Sequence, residues 1–194
     1  MNILLINKYF FLKGGSERQV FDLIAVLEKN KHRVIPFAME DERNEKTPFQ
    51  KYFFRKVDLH RFSVFSIIKY FHNYDAVRRL EKLLDDEKVD IAHLHNIVGQ
   101  VSPAIIKSLK ERGIPVVQTL HDYRLFCPNG QLFAGGKVCY SCVGKSYYHC
   151  FFKKCVHNAY GKSLIGSLEA YLNTRFLDLY SQVDCFIAPS HFMR

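Results

Sequence analysis

Short apolar runs alternate with helical periodicity along most of this chain. Ile3 to Ile6 form an uninterrupted apolar run, which is typical of a strand buried on both faces. A turn with Gly14 and Gly15 follows, and apolar residues then recur every three to four positions. Later strands are predicted at 33–38, 91–94, 115–120 and 185–188. This order predicts an α/β fold: a Rossmann-like, doubly wound, mostly parallel sheet with helices on both faces.

Punctuating residues predict where several elements begin. Ser16 and Gln19 have the spacing of a capping box. Asp75 and Ser102 are candidate N-caps, and Pro103 would open the helix after Ser102. Three further features are expected. Pro36 would be penalised if its strand is central, and the last strand, 185–188, should be buried. One helical face should be shared by Ile165, Leu168, Leu172, Phe176 and Leu179.

Composition indicates an ordinary globular domain with a basic bias. The chain has 194 residues, 48% of them hydrophobic, and a formal net charge of +9. Its apolar stretches are far shorter than the roughly 18 residues of a membrane span. The N-terminus lacks the basic start and apolar core of a secretory signal. A single domain located in the cytoplasm is therefore expected.

Chemistry-bearing residues follow several of the predicted strands. In open α/β sheets, ligands bind outside the carboxyl ends of the strands. Gly14 and Gly15 would let an anion such as a diphosphate approach the N–H groups of the next helix, although a plain turn has the same pattern. His95 and His121 end neighbouring strands and predict a polar substrate site, the alternative being histidines bonded to backbone carbonyls. Ser190 follows the last strand in the same way.

Four segments in register with these strands resemble a known family. They are GGSERQV, DIAHLHN, TLHDY and FIAPSHFMR. In this order and at these separations they resemble the N-terminal half of a family-4 glycosyltransferase of the GT-B fold. The resemblance implies that residues 1–194 are one Rossmann-like, acceptor-side domain of a two-domain enzyme, with the C-terminal donor-binding domain absent from the chain.

The resemblance also implies an activity and its residues. The whole enzyme would move a sugar, in hexosyl transfer with retention, from a nucleotide-sugar to a glycan or lipid-linked acceptor in cell-surface polysaccharide synthesis. This half alone would be inactive, and catalysis would need no metal or other cofactor. His121 would lie at the transferred sugar, and Gly14 and Gly15 near the donor diphosphate. The acceptor side and the cleft would be lined by His95, Asn96, Asp122, Tyr123, Ser190 and Arg194.

A basic, cysteine-rich insertion is predicted at residues 123–162. Cys139, Cys142, Cys150 and Cys155 have the paired spacing of a tetrahedral thiolate site, and Cys127 is a fifth candidate. Zinc in a structural role is the predicted occupant. Reduced thiols packed under a loop, or a redox pair at Cys139 and Cys142, remain as alternatives.

The insertion concentrates the basic charge, because it holds six Lys and Arg residues and no acidic residue. Contact with an anionic membrane surface or a phosphorylated lipid carrier is one prediction, and a solvated basic loop is the other. A zinc-stabilised nucleic-acid-binding module is an alternative function, although no helix-turn-helix, zinc-finger or RNP pattern supports nucleic acid as a partner. A non-catalytic nucleotide-binding domain is a third possibility.

Overall fold

The computed structural model describes residues 1–57 and 71–193. These form two compact units. The first unit comprises Met1–His121 with Gln182–Pro189, and the second comprises Asp122–Ser181 with the residues from Ser190 onward. The strands of the described residues are β1 (Asn2–Ile6), β2 (Arg33–Phe37), β3 (Ile91–Leu94), β4 (Val116–Thr119), β5 (Phe133–Ala134), β6 (Lys137–Val138) and β7 (Cys185–Ile187). The α-helices are α1 (Gly15–Lys29), α2 (Tyr74–Asp86), α3 (Ile105–Glu111), α4 (Tyr148–Phe152) and α5 (Tyr160–Tyr171).

The first unit is built on a five-stranded sheet of order β2-β1-β3-β4-β7. Every neighbouring pair in it is parallel. β1 lies between β2 and β3, and its Leu4 is in register with Ile35 on one side and Ala92 on the other. The predicted α/β fold with a mostly parallel sheet is therefore confirmed.

The order of the connections places helices on both faces of this sheet. The β1–α1–β2 crossover runs toward one edge, whereas β2–α2–β3 and β3–α3–β4 run toward the other. Because such crossovers are right-handed, opposite directions put α1 on one face and α2 and α3 on the opposite face. In agreement, α2 and α3 contact each other. The sheet is doubly wound, as predicted.

Burial of the central strand explains its apolar sequence. Leu4, Leu5 and Ile6 of β1 are almost completely buried. On the α1 side, Val20 packs with Leu5 and Val34. Burying an aliphatic side chain of this size contributes about 2 kcal/mol to folding. These contacts hold α1 against β1 and β2 and thereby fix the position of the turn that precedes α1.

Two helix starts differ from the prediction. α1 begins at Gly15 after an extended Gly14, and no side chain caps it, so the capping box at Ser16 was wrong. α2 is capped by Asn73, whose Oδ1 accepts the Ala76 N–H at 3.1 Å, and the cap predicted at Asp75 was wrong. Asp75 is used elsewhere, since its carboxylate accepts the Arg55 N–H at 2.7 Å.

The start of α3 was also predicted too early. Ser102 has a φ of +74° and its Oγ accepts the Ala104 N–H at 3.3 Å, so the regular helix begins at Ile105 rather than at Pro103. Its end agrees with the sequence, because Gly113 has the positive φ (+69°) that suits glycine after a helix.

The two edges of the sheet account for the unusual strands. β2 has one strand neighbour, so Pro36 costs no essential ladder bond at this edge. β7 forms the other edge, with Phe186 40% and Ile187 42% exposed, and the prediction of a buried last strand was wrong. Among the described residues β7 pairs only with β4, and side chains on both of its faces stay partly exposed.

The second unit combines the β5–β6 hairpin with α4 and α5 and is organised around a buried polar side chain. Tyr147 is 1% exposed, and its Oη donates to the Leu125 carbonyl at 3.2 Å. Ser167 Oγ lies 2.9 Å from the Tyr147 carbonyl oxygen. α5 turns this polar side inward, and Leu168 is 48% exposed. Of the other residues predicted to share its face, Leu179 is buried, Ile165 and Leu172 are partly buried and Phe176 is 74% exposed, so only part of that face is covered.

Asp184, just before β7, joins three segments of the first unit. Its Oδ2 accepts the Val116 N–H at 2.7 Å, and its carboxylate pairs with Lys110 Nζ at 2.7 Å. Its own N–H donates to the Val116 carbonyl at 2.9 Å. The Lys110 ammonium holds the pKa of Asp184 below its ordinary value.

We therefore expect Asp184→Ala to lower the free energy of unfolding by about 1–2 kcal/mol at pH 7. Asp184→Asn should lose less, because its amide oxygen still accepts the Val116 N–H. The depressed pKa means that the contribution is present above pH 4 and is lost as the carboxylate protonates, so the difference from wild type shrinks at pH 3.

Urea denaturation at pH 7 and pH 3 measures this. Glu111→Gln, which removes an exposed ion pair with Lys107, serves as the control and should change stability by less than about 0.5 kcal/mol. Equal stability of wild type and Asp184→Ala at pH 7 would contradict the assignment.

Candidate functional site

The direction of chain crossing reverses at β1. From β1 the chain crosses to β2 on one side, and β3 lies on the other side. At such a switch point, the loops that follow the two adjacent strands separate and leave a crevice at their carboxyl ends. The residues just after β1 and β3 therefore line the candidate site.

Asn7 follows β1 and is 1% exposed. Its N–H donates to the Phe37 carbonyl at 3.2 Å, and its Nδ2 donates to the Tyr9 carbonyl at 2.8 Å. Its Oδ1 accepts the Asn96 N–H at 3.3 Å. Asn7 thus ties the loop after β1 to the loop after β3. The sequence analysis missed it, although a polar residue directly after a buried strand is the signal that could have found it.

Three histidine rings meet at the ends of β3 and β4. His95 Nδ1 lies 2.8 Å from His121 Nε2, so the two predicted site histidines are hydrogen bonded. His93, two residues earlier on β3, packs on His95 with ring centroids 4.4 Å apart. Its Nε2 lies 2.8 Å from Thr119 Oγ1. The parallel pairing of β3 with β4 brings these groups together.

Burial keeps two of these rings neutral. Burial, with smaller effects from His93 and His121, lowers the pKa of His95 to about 2. Burial and the neighbouring His121 lower the pKa of His93 to about 4. Both rings are therefore uncharged at neutral pH, and each carries a single N–H.

The surroundings of His95 favour one tautomer. Its Nε2 is buried without a hydrogen-bond partner among the described residues. An unpaired buried N–H is rarer in proteins than an under-satisfied acceptor. We therefore assign the proton to His95 Nδ1, which donates to His121 Nε2. In neutral His121 the proton is then on Nδ1.

Gly14 and Gly15 lie exposed at the start of the 15-residue helix α1. A Cβ added at Gly15 would meet no atom within 4 Å, and one at Gly14 would lie 3.6 Å from Glu17 Oε2. The N–H groups of the first helical turn are thus approachable on the Gly15 side, where a ligand anion is favoured. Glu17, buried in the same turn, brings a carboxylate close to Gly14.

The other predicted cleft residues belong to the second unit. Asp122 accepts the N–H of Arg124 at 3.0 Å and pairs with its guanidinium at 3.1 Å. Tyr123 and Ser190 lie in this unit too, while Arg194 lies outside the described residues. A role for these four predicted residues in a cleft stays a prediction.

The five clustered cysteines also lie in the second unit. Cys127, Cys142 and Cys150 are buried, Cys139 and Cys155 are partly buried, and all five are free thiols. Within residues 1–57 and 71–193, no three His, Cys, Asp or Glu side chains are arranged so that they could jointly hold a metal ion. A zinc site at Cys139, Cys142, Cys150 and Cys155, with Cys127 as a fifth candidate, stays a prediction.

Several basic groups of the 123–162 segment have contacts within the second unit. Lys145 Nζ donates to the Thr174 carbonyl at 2.9 Å, and Lys154 Nζ lies 4.4 Å from the centre of the Tyr160 ring. Lys153 Nζ donates to Ser141 Oγ at 2.6 Å. None of the helices in the described part of the chain has the length and apolar character required to span a bilayer.

This chain is similar to a curated protein and, more weakly, to a solved structure. A Klebsiella pneumoniae protein, described as an uncharacterized 42.6 kDa protein in the cps region, is 26% identical over 152 residues. The match covers 70% of this chain but only 40% of that relative. A crystal structure of an isochorismatase family protein gives a TM-score of 0.36 at 14% identity, over 62% of this chain and 78% of that one. A likeness this weak carries no argument.

The family comparison covers nearly the whole chain. The family described as Glycosyltransferase Family 4 matches residues 13–194, which include the turn at Gly14, both histidines of the hydrogen-bonded pair and the cysteine segment. The resemblance seen in the four sequence segments is thereby confirmed. The chain belongs to glycosyltransferase family 4.

Proposed function

We propose that this chain is the acceptor-side part of a retaining glycosyltransferase that moves a hexosyl group from a nucleotide-sugar to a glycan or lipid-linked acceptor in cell-surface polysaccharide synthesis. The family membership supports sugar transfer. The cps region in the relative's description agrees with a role in polysaccharide synthesis. The chain spans 40% of that relative, which agrees with a further, donor-binding part in the active protein.

The observation that carries the proposal is the His95–His121 hydrogen bond at the carboxyl ends of β3 and β4. This hydrogen bond fixes the His121 imidazole against the buried, neutral imidazole of His95. The pair lies beside the switch point where ligands of open α/β sheets bind. His121 is then a neutral hydrogen-bond donor through Nδ1. A neutral donor suits contact with a sugar hydroxyl, and His95 is the positioning residue that orients it.

The transfer itself exchanges two bonds at the sugar. The bond from the anomeric carbon to the diphosphate oxygen breaks, and the acceptor oxygen bonds to the same face of that carbon. The proton of the acceptor hydroxyl passes to the departing diphosphate. In this proposal the N–H groups at Gly15 stabilise the negative charge on the diphosphate, and His121 holds the transferred sugar.

The test compares this chain alone with the complete polypeptide encoded by its gene. Each is incubated with UDP- and GDP-linked hexoses and with glycan and lipid extracts, and release of the nucleoside diphosphate is measured. We expect acceptor-dependent release by the complete polypeptide, a product with the donor's anomeric configuration by NMR, and no turnover by this chain alone. His121→Ala should lower kcat at least ~100-fold. Failure of every donor, or an inverted product, would contradict the proposal.

The neutral histidines predict a pH dependence of stability. Unfolded histidines take up protons near pH 6.5, whereas folded His93 and His95 stay neutral to about pH 4. Acid therefore favours the unfolded state, and each histidine contributes a slope of about 1.4 kcal/mol per pH unit below pH 6. His95→Asn should remove about half of the contribution from this pair.

Urea denaturation at pH 5, 6 and 7 measures that slope. Thr119→Val, which removes a neighbouring hydroxyl but no titratable group, is the matched control and should keep the wild-type slope. If His95→Asn also keeps it, His95 is charged in the folded state and the assigned tautomer is wrong.

Replacing Gly15 should affect nucleotide binding and folding stability differently. A methyl group at Gly15 has free space and suits a helix, so Gly15→Ala should leave the free energy of unfolding unchanged or raise it by up to ~1 kcal/mol. The same methyl group obstructs the approach of a diphosphate, and the Kd of the complete polypeptide for UDP or GDP should rise ~10-fold or more.

Isothermal titration calorimetry and thermal melts check both parts. Gly113→Ala is the converse control: its positive φ should cost ~1 kcal/mol of stability without changing Kd. Unchanged nucleotide affinity in Gly15→Ala would remove Gly15 from the diphosphate site.

A further inference from the structure

Helix α5 presents its apolar side outward, which is the reverse of an ordinary surface helix. Ser163 and Ser167 are buried, whereas Leu164 and Leu168 are exposed. The buried hydroxyls are hydrogen bonded, since Ser163 Oγ accepts the Val156 N–H at 3.0 Å and Ser167 Oγ donates to the Ser163 carbonyl at 2.8 Å. A surface helix normally buries its apolar face and exposes its polar face. The apolar face of α5 is therefore left without a cover among the described residues.

The exposed apolar side chains of α5 form a stripe. Tyr160, Leu164 and Leu168 follow one another at intervals of four residues, so they lie on the same side of the helix over successive turns. All three are exposed. The chain continues beyond α5 in a π-helical turn, Leu172–Phe176, in which Phe176 is exposed as well. The outward side of α5 is thus apolar from its first residue to Leu168.

Aromatic rings of α4 extend this stripe at Tyr160. The centroid of the Phe151 ring lies 5.3 Å from that of Tyr160 and 5.4 Å from that of Phe152. Phe152 is 69% exposed, and its ring centroid lies 6.5 Å from that of the exposed Tyr148. We call this surface the aromatic face; it consists of Tyr148, Phe151, Phe152, Tyr160, Leu164 and Leu168. Single exposed apolar residues are ordinary on proteins, but a contiguous patch marks an interaction surface.

Lysines border the aromatic face. Lys153 and Lys154 directly follow Phe152, and Lys154 Nζ lies 4.4 Å from the centre of the Tyr160 ring. Lys162 is exposed in the first turn of α5. Among residues 1–57 and 71–193, no ion pair joins these three ammonium groups to a carboxylate. The aromatic face therefore combines apolar rings with uncompensated positive charge.

The charge of this face favours an anionic lipid surface as its partner. Tyrosine rings locate at the level of the lipid headgroups, and lysines extend from an apolar surface toward charged headgroups. Anionic headgroups attract basic clusters of this kind. A second copy of the chain would instead bring two basic faces together, and the repulsion between like charges opposes that contact. Charge complementarity therefore selects the bilayer over self-association.

We propose that the aromatic face attaches the second unit peripherally to an anionic lipid bilayer. Its exposed rings and leucines enter the boundary between headgroups and acyl chains, and Lys153, Lys154 and Lys162 contact the lipid phosphates. The buried hydroxyls of Ser163 and Ser167 are bonded within the second unit, so they need no water when the outward side of α5 is covered. The proposal does not depend on which sugar or acceptor the transferase uses.

Co-sedimentation of the full chain with lipid vesicles tests the proposal. The vesicles consist of phosphatidylcholine alone or of phosphatidylcholine mixed with phosphatidylglycerol. We expect binding to the anionic vesicles to be at least ~10-fold tighter than to the neutral ones, because several lysines contribute. Raising the salt concentration to about 1 M should weaken binding to the anionic vesicles, since salt screens the attraction.

A single tryptophan identifies the surface that enters the bilayer. The chain contains no tryptophan, so Phe152→Trp introduces a unique fluorescent reporter on the aromatic face. With anionic vesicles its emission should shift to shorter wavelength, and lipids brominated on their acyl chains should quench it. Val26→Trp places the same reporter at an exposed position of α1 in the first unit and should show neither effect.

Substitutions at exposed positions separate the apolar contribution from the folding of the chain. Phe152→Ser combined with Leu168→Ser should weaken binding to anionic vesicles at least ~10-fold, because two large apolar side chains no longer enter the bilayer. Val26→Ser removes an exposed apolar side chain from the first unit and should keep the wild-type affinity. Thermal melts confirm that each variant is folded.

A matched pair of charge variants separates local charge from net charge. Lys154→Glu with Lys162→Glu lowers the formal net charge from +9 to +5, and so does Lys29→Glu with Lys82→Glu in the first unit. Only the first pair should weaken binding ~10-fold or more. Equal weakening by both pairs would show that net charge, rather than the aromatic face, binds the vesicles.

Three further results would overturn the proposal. The first is wild-type chain that binds neither kind of vesicle, or both equally. The second is vesicle binding that leaves the emission of Phe152→Trp unchanged, because another surface then makes the contact. The third is a dimer that Phe152→Ser dissociates and that does not bind vesicles, in which case a second copy covers the aromatic face. None of these measurements uses sugar transfer, so a failure of the proposed function remains distinguishable.

Discussion

The parallel pairing of β1 with both β2 and β3 is the constraint on which the first unit depends. It buries Leu4, Leu5 and Ile6 on both faces of the sheet and fixes the point where the crossing direction reverses. From that reversal follow the opposite faces taken by α1 and by α2 with α3, and the crevice at the carboxyl ends of β1 and β3. Asn7 then joins the two loops that border this crevice.

The histidine pair shows how burial prepares a polar group for chemistry. His95 is 3% exposed, and its burial disfavours the imidazolium cation more than the neighbouring His93 and His121 do. Neutral His95 carries one proton, on Nδ1, and donates it in a hydrogen bond to His121 Nε2. His121 Nε2 is therefore an acceptor, and the proton of His121 is on Nδ1. The same burial that lowers stability in acid sets the tautomer of His121, which is only partly buried.

The second unit solves a different problem, since its sequence offers few aliphatic side chains. Its core uses Tyr147, buried and hydrogen bonded through Oη, together with thiols. The polar side of α5 turns inward because Ser167 meets the backbone of Tyr147, and Leu168 is left outside. A core of this kind gains less free energy from apolar burial than the core of the first unit does.

The sequence by itself determined the strands and α-helices of the first unit, their alternation and hence the α/β class, because periodicity and apolar runs are local signals. It also placed His95 and His121 at strand ends. It did not predict β5, β6 or α4 of the second unit. Only the tertiary structure decided that the two rings are hydrogen bonded, that Asn7 joins two loops, and that Asn73 rather than Asp75 caps α2. Most of these depend on strand order and on contacts between residues far apart in the chain. The choice of cap depends on what else each side chain can bond. The local periodicity of the sequence contains no information about such contacts.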